Sequence, residues 1–215
     1  MTEKIKSVMN ALENNGIKVI YVEKKEDVPE IVKGLLNKGD SVAVGGSVSI
    51  KEAGVYDLLK NGDYNFYDRY AYTDRDKIEE VYKQSFSVDA YFCSSNAITE
   101  SGELYNVDGN NNRVAAILYG PKSVIMVAGV NKIVKDLDEA INRVKTIAAP
   151  KNVKRLELKT YCYAKGHCMA IDKGQTDMCS GCKSDVRICR NFVVSGPQKI
   201  KDRIKVILVN EELGY

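Results

Sequence analysis

Apolar positions switch between helical and strand spacing along the first part of the chain. Apolar residues recur every three or four positions over 3–15, which predicts a helix with one buried stripe. The β-branched run 17–22 predicts a strand, and the Asp27 to Pro29 segment begins a second helix that ends at Gly39. The chain therefore opens with a helix, a strand and a helix.

The same alternation continues to about residue 150. Further strands are predicted over 41–46, 89–93 and 123–128, and further helices over 48–59, 75–86 and 134–148. Strands that alternate with helices are typical of a mostly parallel sheet covered by helices on both faces. The sequence therefore predicts an open α/β fold.

Two segments depart from this rhythm. Residues 99–112 are rich in glycine and asparagine and predict a loop or hairpin at the sheet edge. After the predicted core, 1–152, a cysteine-rich segment spans 160–190, and two β-like runs within 190–209 predict a closing β-hairpin. We expect residues 1–215 to form a single domain.

Composition narrows the function classes. The chain has 215 residues, 44% of them hydrophobic, which is enough for one sizeable core. The net charge of +3 is spread without a basic block, which argues against binding to nucleic acid or an anionic membrane. No apolar run is long enough for a membrane span or a signal peptide, so we expect a cytoplasmic protein. The oligomeric state stays open.

Cysteine clustering is the strongest chemical signal. Thiols stay reduced in the cytoplasm, so cysteines grouped there indicate metal binding or redox chemistry. The candidate metal ligands are Cys162, Cys168, Cys179, Cys182 and Cys189. Four thiolates complete a set for Zn²⁺ or for an iron–sulfur cluster, and the spacing matches no ferredoxin pattern, so both metals remain open. The fifth thiol is then spare, a resolving thiol or an alternative ligand. His167 could replace a thiolate on zinc, but with five cysteines available we expect it to support a ligand from outside or to be exposed.

A glycine–serine turn follows the predicted strand 41–46. Free backbone N–H groups at the start of the next helix favour an anion, and equally Ser47 can simply cap that helix. The candidate ligand-binding residues here are Gly45, Gly46, Ser47, Ser49 and Glu52. Asn131 and Lys132 lie at the equivalent position, between the predicted strand 123–128 and the next helix, and are candidate ligand-binding residues as well.

Polar residues also follow the strand 89–93, where open α/β proteins bind ligands. The candidate ligand-binding residues of this segment are Asn96, Thr99, Gly102, Asn106 and Asn110. Glu100, Glu103 and Arg113 are the candidate catalytic residues, as acid, base or anion clamp. These loops together predict a site for a small anionic metabolite.

Four long motifs carry a family resemblance. They are GGSVSIKEAG at 45–54, SNAITESGELYNVDGNNNRVAAILYGP at 95–121, GVNKIVKDLDEAINRVKTIAAPKN at 129–152 and RIKVILVNEELGY at 203–215. The chain resembles the LUD-domain family, whose name comes from lactate utilization. The resemblance implies a fold like that of coenzyme A transferases and ribose-5-phosphate isomerases. It also implies organic-acid metabolism beside an iron–sulfur partner protein.

The resemblance bears on the cysteines as well. Family members with a cysteine tail have a pattern similar to Cys162, Gly166-His167-Cys168, Cys182 and Arg187-Ile188-Cys189, but an insertion at 169–178 leaves Cys168 or Cys179 for the fourth position.

The first functional hypothesis is a redox-associated subunit, and two alternative functions remain open. One is a metabolite- or redox-sensing regulatory subunit, and the other is a transferase or isomerase acting on a thioester or sugar phosphate. A coenzyme A transferase mechanism would use Glu103 or Glu100 as nucleophile.

Overall fold

A six-stranded sheet forms the centre of the structure, a computed structural model that describes residues 1–215. Its strands are, in spatial order, β1 (Lys18–Val22), β10 (Ile204–Val209), β7 (Ser123–Gly129), β4 (Ala90–Cys93), β2 (Ser41–Val44) and β3 (Asn65–Tyr67). Every neighbouring pair is parallel. The strand ends that bear the predicted ligand turns therefore meet at one edge of the sheet.

Helices cover both faces of this sheet. They are α1 (Glu3–Asn14), α2 (Val28–Lys33), α3 (Val48–Glu52), α4 (Val55–Asn61), α5 (Arg75–Gln84), α6 (Asn112–Leu118), α7 (Leu137–Arg143), α8 (Ala149–Arg155), α9 (Tyr161–Lys165) and α10 (Met169–Asp172). The apolar stripes of α1 and α6 pack into one core, and those of α2, α3 and α4 pack into the other. This arrangement confirms the predicted α/β fold.

A second, four-stranded sheet carries the segment predicted as a loop or hairpin. Its order is β8 (Ile133–Val134), β5 (Ala97–Thr99), β6 (Leu104–Asp108) and β9 (Asn191–Ser195). β5 and β6 form an antiparallel hairpin, and β9 pairs with β6. The sequence pattern gave no sign of a separate sheet.

The predicted closing hairpin is wrong. β9 lies at the edge of the second sheet, whereas β10 lies between β1 and β7 in the main sheet. The physical reason is burial, because five of the six residues of β10 are buried and only one residue of β9 is. A strand that is apolar on both faces fits the centre of a parallel sheet.

Two helices differ from the predicted ones. The helix predicted over 48–59 is broken into α3 and α4 by Gly54, whose φ of +69° is left-handed. The helix predicted over 134–148 begins at Leu137 and runs to Arg155, with a π-helical turn at Val144–Ala148 between α7 and α8. π-Helical turns are often found at functional sites, and this one borders both cavities described below.

The cysteine-rich segment packs beside the second sheet. It contains the short helices α9 and α10, and residues 173–190 contain neither helix nor strand. Met178, Cys189 and Phe192 pack against the core between the second sheet and α7. No helix in the chain combines the length and apolar character that crossing a membrane requires.

Candidate functional site

A cleft of about 510 Å³ lies at the carboxyl ends of the main-sheet strands. Turns after four adjacent strands line it: Arg69 and Tyr70 after β3, Gly46 to Ser49 around the start of α3 after β2, Ser94 to Asn96 after β4, and Lys132 after β7. Its volume is in the usual range of about 300–1,000 Å³ for small-molecule sites. The parallel topology thus brings distant turns into one pocket.

Positive side chains dominate the charged lining of this cleft. Four cationic residues line it, Arg69, Arg113, Lys132 and Arg155, against the single carboxylate of Asp108. That carboxylate already accepts a hydrogen bond from the backbone N–H of Arg113 at 3.1 Å. The lining therefore has an excess of positive charge that suits an anionic ligand.

Lys132 lies at the floor of the cleft and is 3% exposed. Its Nζ donates hydrogen bonds to Ser49 Oγ at 2.9 Å and to Ser94 Oγ at 2.8 Å. Burial, and then the positive charges of Arg143 and Arg113, lower the pKa of Lys132 to about 7. The amine is thus held between two hydroxyl groups without a carboxylate partner.

Arg113 fixes one wall of the cleft. Its guanidinium donates to Ser94 O, Asn106 Oδ1, Asn96 Oδ1 and Val107 O at distances of 2.6 to 3.0 Å. These bonds occupy both terminal nitrogens, so the side chain mainly holds the surrounding loop segments in place. Gly45 makes room for it, because a Cβ there would lie 3.3 Å from Arg113 Cδ and 2.9 Å from Tyr91 Oη.

Arg69 and Arg155 approach the cleft from its other sides. Arg69 donates to Tyr70 Oη and Tyr82 Oη, both at 2.9 Å, and its buried Nε has no hydrogen-bond partner. A Cβ at Gly46 would lie 2.8 Å from Arg69 Nη2, so this glycine lets the guanidinium approach the β2 turn. Arg155 Nε bonds Tyr215 Oη at 2.8 Å. Both guanidinium groups keep donor capacity for a ligand.

A second, smaller cavity of about 30 Å³ lies beside the cleft. Four of the five predicted metal ligands line it: Cys162, Cys168, Cys182 and Cys189. The fifth, Cys179, is exposed and does not line it. The wall between the two cavities is shared, because Val144, Ala149, Ile188 and Cys189 line both.

Two cationic side chains hold the loop around these thiols. Lys145 is buried and donates to Asp177 O at 2.5 Å and to Ser180 Oγ at 2.7 Å. Arg187 donates to Cys182 O at 2.9 Å and to Cys179 O at 3.0 Å. Each of these bonds goes to a neutral acceptor, so both positive charges remain unbalanced beside the thiols.

Burial raises the pKa of two of the thiols that line this cavity. It raises the pKa of Cys189 to about 12, with a further contribution from the neighbouring cysteines, and it also raises the pKa of Cys162. No group of three or more His, Cys, Asp or Glu side chains is placed to hold a metal ion. His167 pairs with Asp172 at 2.7 Å and does not line the thiol cavity.

The structure brings together about half of the predicted ligand residues. Those that line the cleft are Gly46, Ser47, Ser49, Asn96, Asn110 and Lys132, together with Arg113 from the catalytic set. Asn106 lies behind the wall and accepts from Arg113. Glu52 and Asn131 instead accept backbone N–H groups of Gly214 and Leu213, so they hold the C-terminal residues in place.

The predicted glutamates lie outside the cleft. Glu100 pairs with Lys4 of α1 at 2.7 Å, and Glu103 accepts from Thr99 and Ser101 within its own turn. These two hydrogen bonds lower the pKa of Glu103. Gly102 lies against the α1 backbone, so the β5–β6 turn faces α1 and not the cleft. A glutamate nucleophile from this turn therefore has no access to a ligand held in the cleft.

Several lining residues were not predicted from the sequence. Ser94 directly follows β4, so the rule that selected Asn96 also points to it. Arg69 and Arg155 come from elements far apart in the chain, and no local pattern marks them. Lys145 and Arg187 lie within the family motifs at 129–152 and 187–189, but nothing in those motifs marks either residue as a neighbour of the thiols.

These features define a class of protein, namely an α/β protein with a positively charged cleft at the carboxyl ends of a parallel sheet. The family model described as the LUD domain matches residues 5–209, so the chain belongs to the LUD-domain family. This membership confirms the resemblance seen in the four long motifs.

One solved structure supports the fold. The chain is similar to a crystal structure of a DUF162 family protein from Deinococcus radiodurans, with 14% identity, 96% coverage of each chain and a TM-score of 0.55. It also matches ribose 5-phosphate isomerase A from Methanocaldococcus jannaschii, with 15% identity, 81% coverage of this chain, 80% of the other and a TM-score of 0.37. The first likeness concerns the fold alone, and no curated protein matches the sequence.

Proposed function

We propose that this protein is a redox-associated LUD subunit that binds a small anionic metabolite beside a cysteine-ligated metal centre. The observation that carries the proposal is the shared wall, in which Cys189 lines both the cleft and the thiol cavity. A ligand in the cleft would therefore lie next to the centre. We place the protein in the cytoplasm, where its six free thiols stay reduced.

The lining of the cleft supports an anionic ligand. The guanidinium groups of Arg69, Arg113 and Arg155 face one carboxylate that is already hydrogen-bonded, and the serines after β2 and β4 add neutral donors. A volume of about 510 Å³ accepts a small organic acid with room to spare. Lactate and other organic acids, which the family name suggests, satisfy this chemistry.

Charge balance supports an anionic centre in the thiol cavity. Zn²⁺ bound by four thiolates has a double negative charge, and so does an oxidised four-iron cluster bound by four thiolates. Lys145 and Arg187 supply two positive charges whose hydrogen bonds go to neutral acceptors. The donor set of Cys162, Cys168, Cys182 and Cys189 therefore has the number and type of ligands that a tetrathiolate centre needs.

Of the two metals, an iron–sulfur cluster is the one we propose, although the thiols as placed hold neither without a movement of their loop. A single Zn²⁺ needs each sulfur at about 2.3 Å from one point, and no three such groups are so placed. A cluster binds its thiolates at separate irons. The cavity of about 30 Å³ is smaller than a cluster, so loading requires a shift of 173–190, which contains no helix or strand. When bound, a cluster supplies one-electron transfer with an iron–sulfur partner protein.

Metal analysis of protein purified without oxygen tests the centre. We expect iron and acid-labile sulfide, together with visible absorption, and we expect Cys182→Ser to lose them. Cys179→Ser is the matched control, because Cys179 lies outside the cavity and should leave the metal content unchanged. Reduced protein free of iron and zinc, or equal metal contents in the two variants, would refute a centre in this cavity.

Calorimetric titration with lactate, pyruvate and inorganic phosphate tests the cleft. We expect at least one of these anions to bind and Arg69→Gln to weaken it by about tenfold, as for one lost charged hydrogen bond. Arg75→Gln is the control, because Arg75 is exposed on α5 and does not line the cleft. Equal affinities in the two variants, or binding of none of the three anions, would contradict the proposed site.

A further inference from the structure

We propose that the Lys132 amine is a nucleophile that captures a small carbonyl compound carrying an anionic group, and forms an imine with it in the cleft. This inference rests on the proposed anion cleft and adds a covalent step to it. It concerns the chemical class of the ligand. A ligand of this class has a carbonyl carbon for the amine and a carboxylate or phosphate for the guanidinium groups.

The hydrogen bonds of Lys132 match a neutral amine. Such an amine has two N–H groups and one lone pair, and the Nζ has two acceptors, Ser49 Oγ at 2.9 Å and Ser94 Oγ at 2.8 Å. Both hydroxyl groups line the cleft with Lys132 itself. A charged ammonium would have a third N–H group and would normally be paired with a carboxylate at this depth.

The surrounding charges also favour the neutral form. Arg143 from α7 and Arg113 from α6 act against the ammonium, while Glu52 on α3 and the Cys93 thiol on β4 favour it. Burial is the largest effect, and together these groups bring the pKa to about 7. A lysine that is desolvated beside other cations is an activated amine.

The chemical step is balanced without any further reactant. The Nζ lone pair forms a bond to the carbonyl carbon, and the C=O π electrons move to the oxygen. One proton passes from nitrogen to oxygen, the second nitrogen proton then follows and releases that oxygen as water, and the C=N bond of the imine remains. Ser94 Oγ, 2.8 Å from Nζ, is the nearest group that can relay these protons. Addition of water reverses the step.

Reductive trapping tests this proposal. The full-length protein is incubated with pyruvate or with dihydroxyacetone phosphate, treated with sodium borohydride and analysed by intact mass and peptide mapping. We expect one adduct per chain, mapped to Lys132, and the probe that gives it tells whether the anionic group is a carboxylate or a phosphate. The yield should fall as the pH is lowered below about 7, because the protonated amine has no lone pair.

Three variants complete the test. Lys132→Met should abolish the adduct, whereas Lys151→Met, which removes an exposed lysine of α8, should leave the yield unchanged. Lys132→Arg keeps a long hydrogen-bond donor at this position without a nucleophilic amine, so it should fold and give no adduct. If pyruvate or dihydroxyacetone phosphate binds in calorimetry but gives no Lys132 adduct, the imine is refuted and the anion cleft stands. An equal yield in Lys132→Met also overturns the proposal.

Discussion

Gly102 and Gly39 have nearly the same backbone conformation but very different surroundings. Their φ values are +85° and +82°, and a Cβ would lie 2.6 Å from the Ala11 carbonyl carbon at Gly102 but meet nothing within 4 Å at Gly39. Left-handed φ alone costs a non-glycine residue about 1–2 kcal/mol. At Gly102 the added carbon must also displace the α1 backbone.

We therefore expect Gly102→Ala to lower the free energy of unfolding by about 3 kcal/mol or more. Gly39→Ala should lower it by only about 1 kcal/mol, from the backbone conformation. Urea denaturation of both variants measures the difference. Equal losses would mean that the turn can move away from α1 at no cost.

At the scale of single residues, the sequence signal that best identified residues of the cleft was a position directly after a predicted strand. It identified Ser47, Ser49 and Lys132, which line the cleft, because parallel strands deliver their ends to one edge. It did not bring Glu100 and Glu103 to the cleft, because the short strand β5 turns the chain away toward α1. A one-dimensional pattern does not encode that change of direction.

At the scale of elements, Asp89 connects β2 to β4. Its carboxylate accepts from Lys122 Nζ at 2.7 Å, from Ser41 Oγ at 2.6 Å and from the Ser41 backbone at 2.9 Å. These bonds, that from Lys122 first, hold the pKa of Asp89 well below its usual range. Asp89 therefore stabilises the sheet only while it is ionised.

We expect Asp89→Asn to be less stable than the wild type at about pH 7, with a difference that disappears in acid. The folded-state pKa is depressed, so the contribution is complete above the unfolded value of about 3.9 and is lost as the pH falls through the folded value. Urea denaturation across this range provides the measurement. A difference that stays constant into strong acid would contradict the assignment.

Lys145 joins the π-helical turn to the loop that carries Cys179 and Cys182. Its three acceptors are Gln175 O, Asp177 O and Ser180 Oγ. We expect Lys145→Met to speed amide hydrogen exchange over 175–182, because the loop loses its main anchor and has no secondary structure of its own.

Hydrogen-exchange mass spectrometry measures the amide exchange rate of residues 175–182 directly. Lys151→Met on α8 is the matched control and should exchange like the wild type. If both variants behave alike, the loop is held by something other than Lys145. The sequence does not reveal this contact, because a π turn changes which residues of a helix face inward and the helical periodicity does not predict where it occurs.

At the scale of the whole molecule, the sequence predicted the parallel α/β core well. Its strands are long apolar runs bounded by turn residues, and such runs have few alternatives to the centre of a sheet. The second sheet was not predicted, since β8 has two residues and β5 has three. Pairings between such short strands depend on tertiary packing, which local spacing does not contain.

We infer that the cleft and the thiol cavity act as one site through their shared wall at Cys189. The most direct test is to titrate pyruvate or lactate into the metal-loaded, oxygen-free protein while recording the visible and electron paramagnetic resonance spectra of the centre. We predict a saturable spectral change that is weakened in Arg69→Gln and unaltered in Arg75→Gln. Anion binding by calorimetry with no change in the spectra of the centre would contradict the claim.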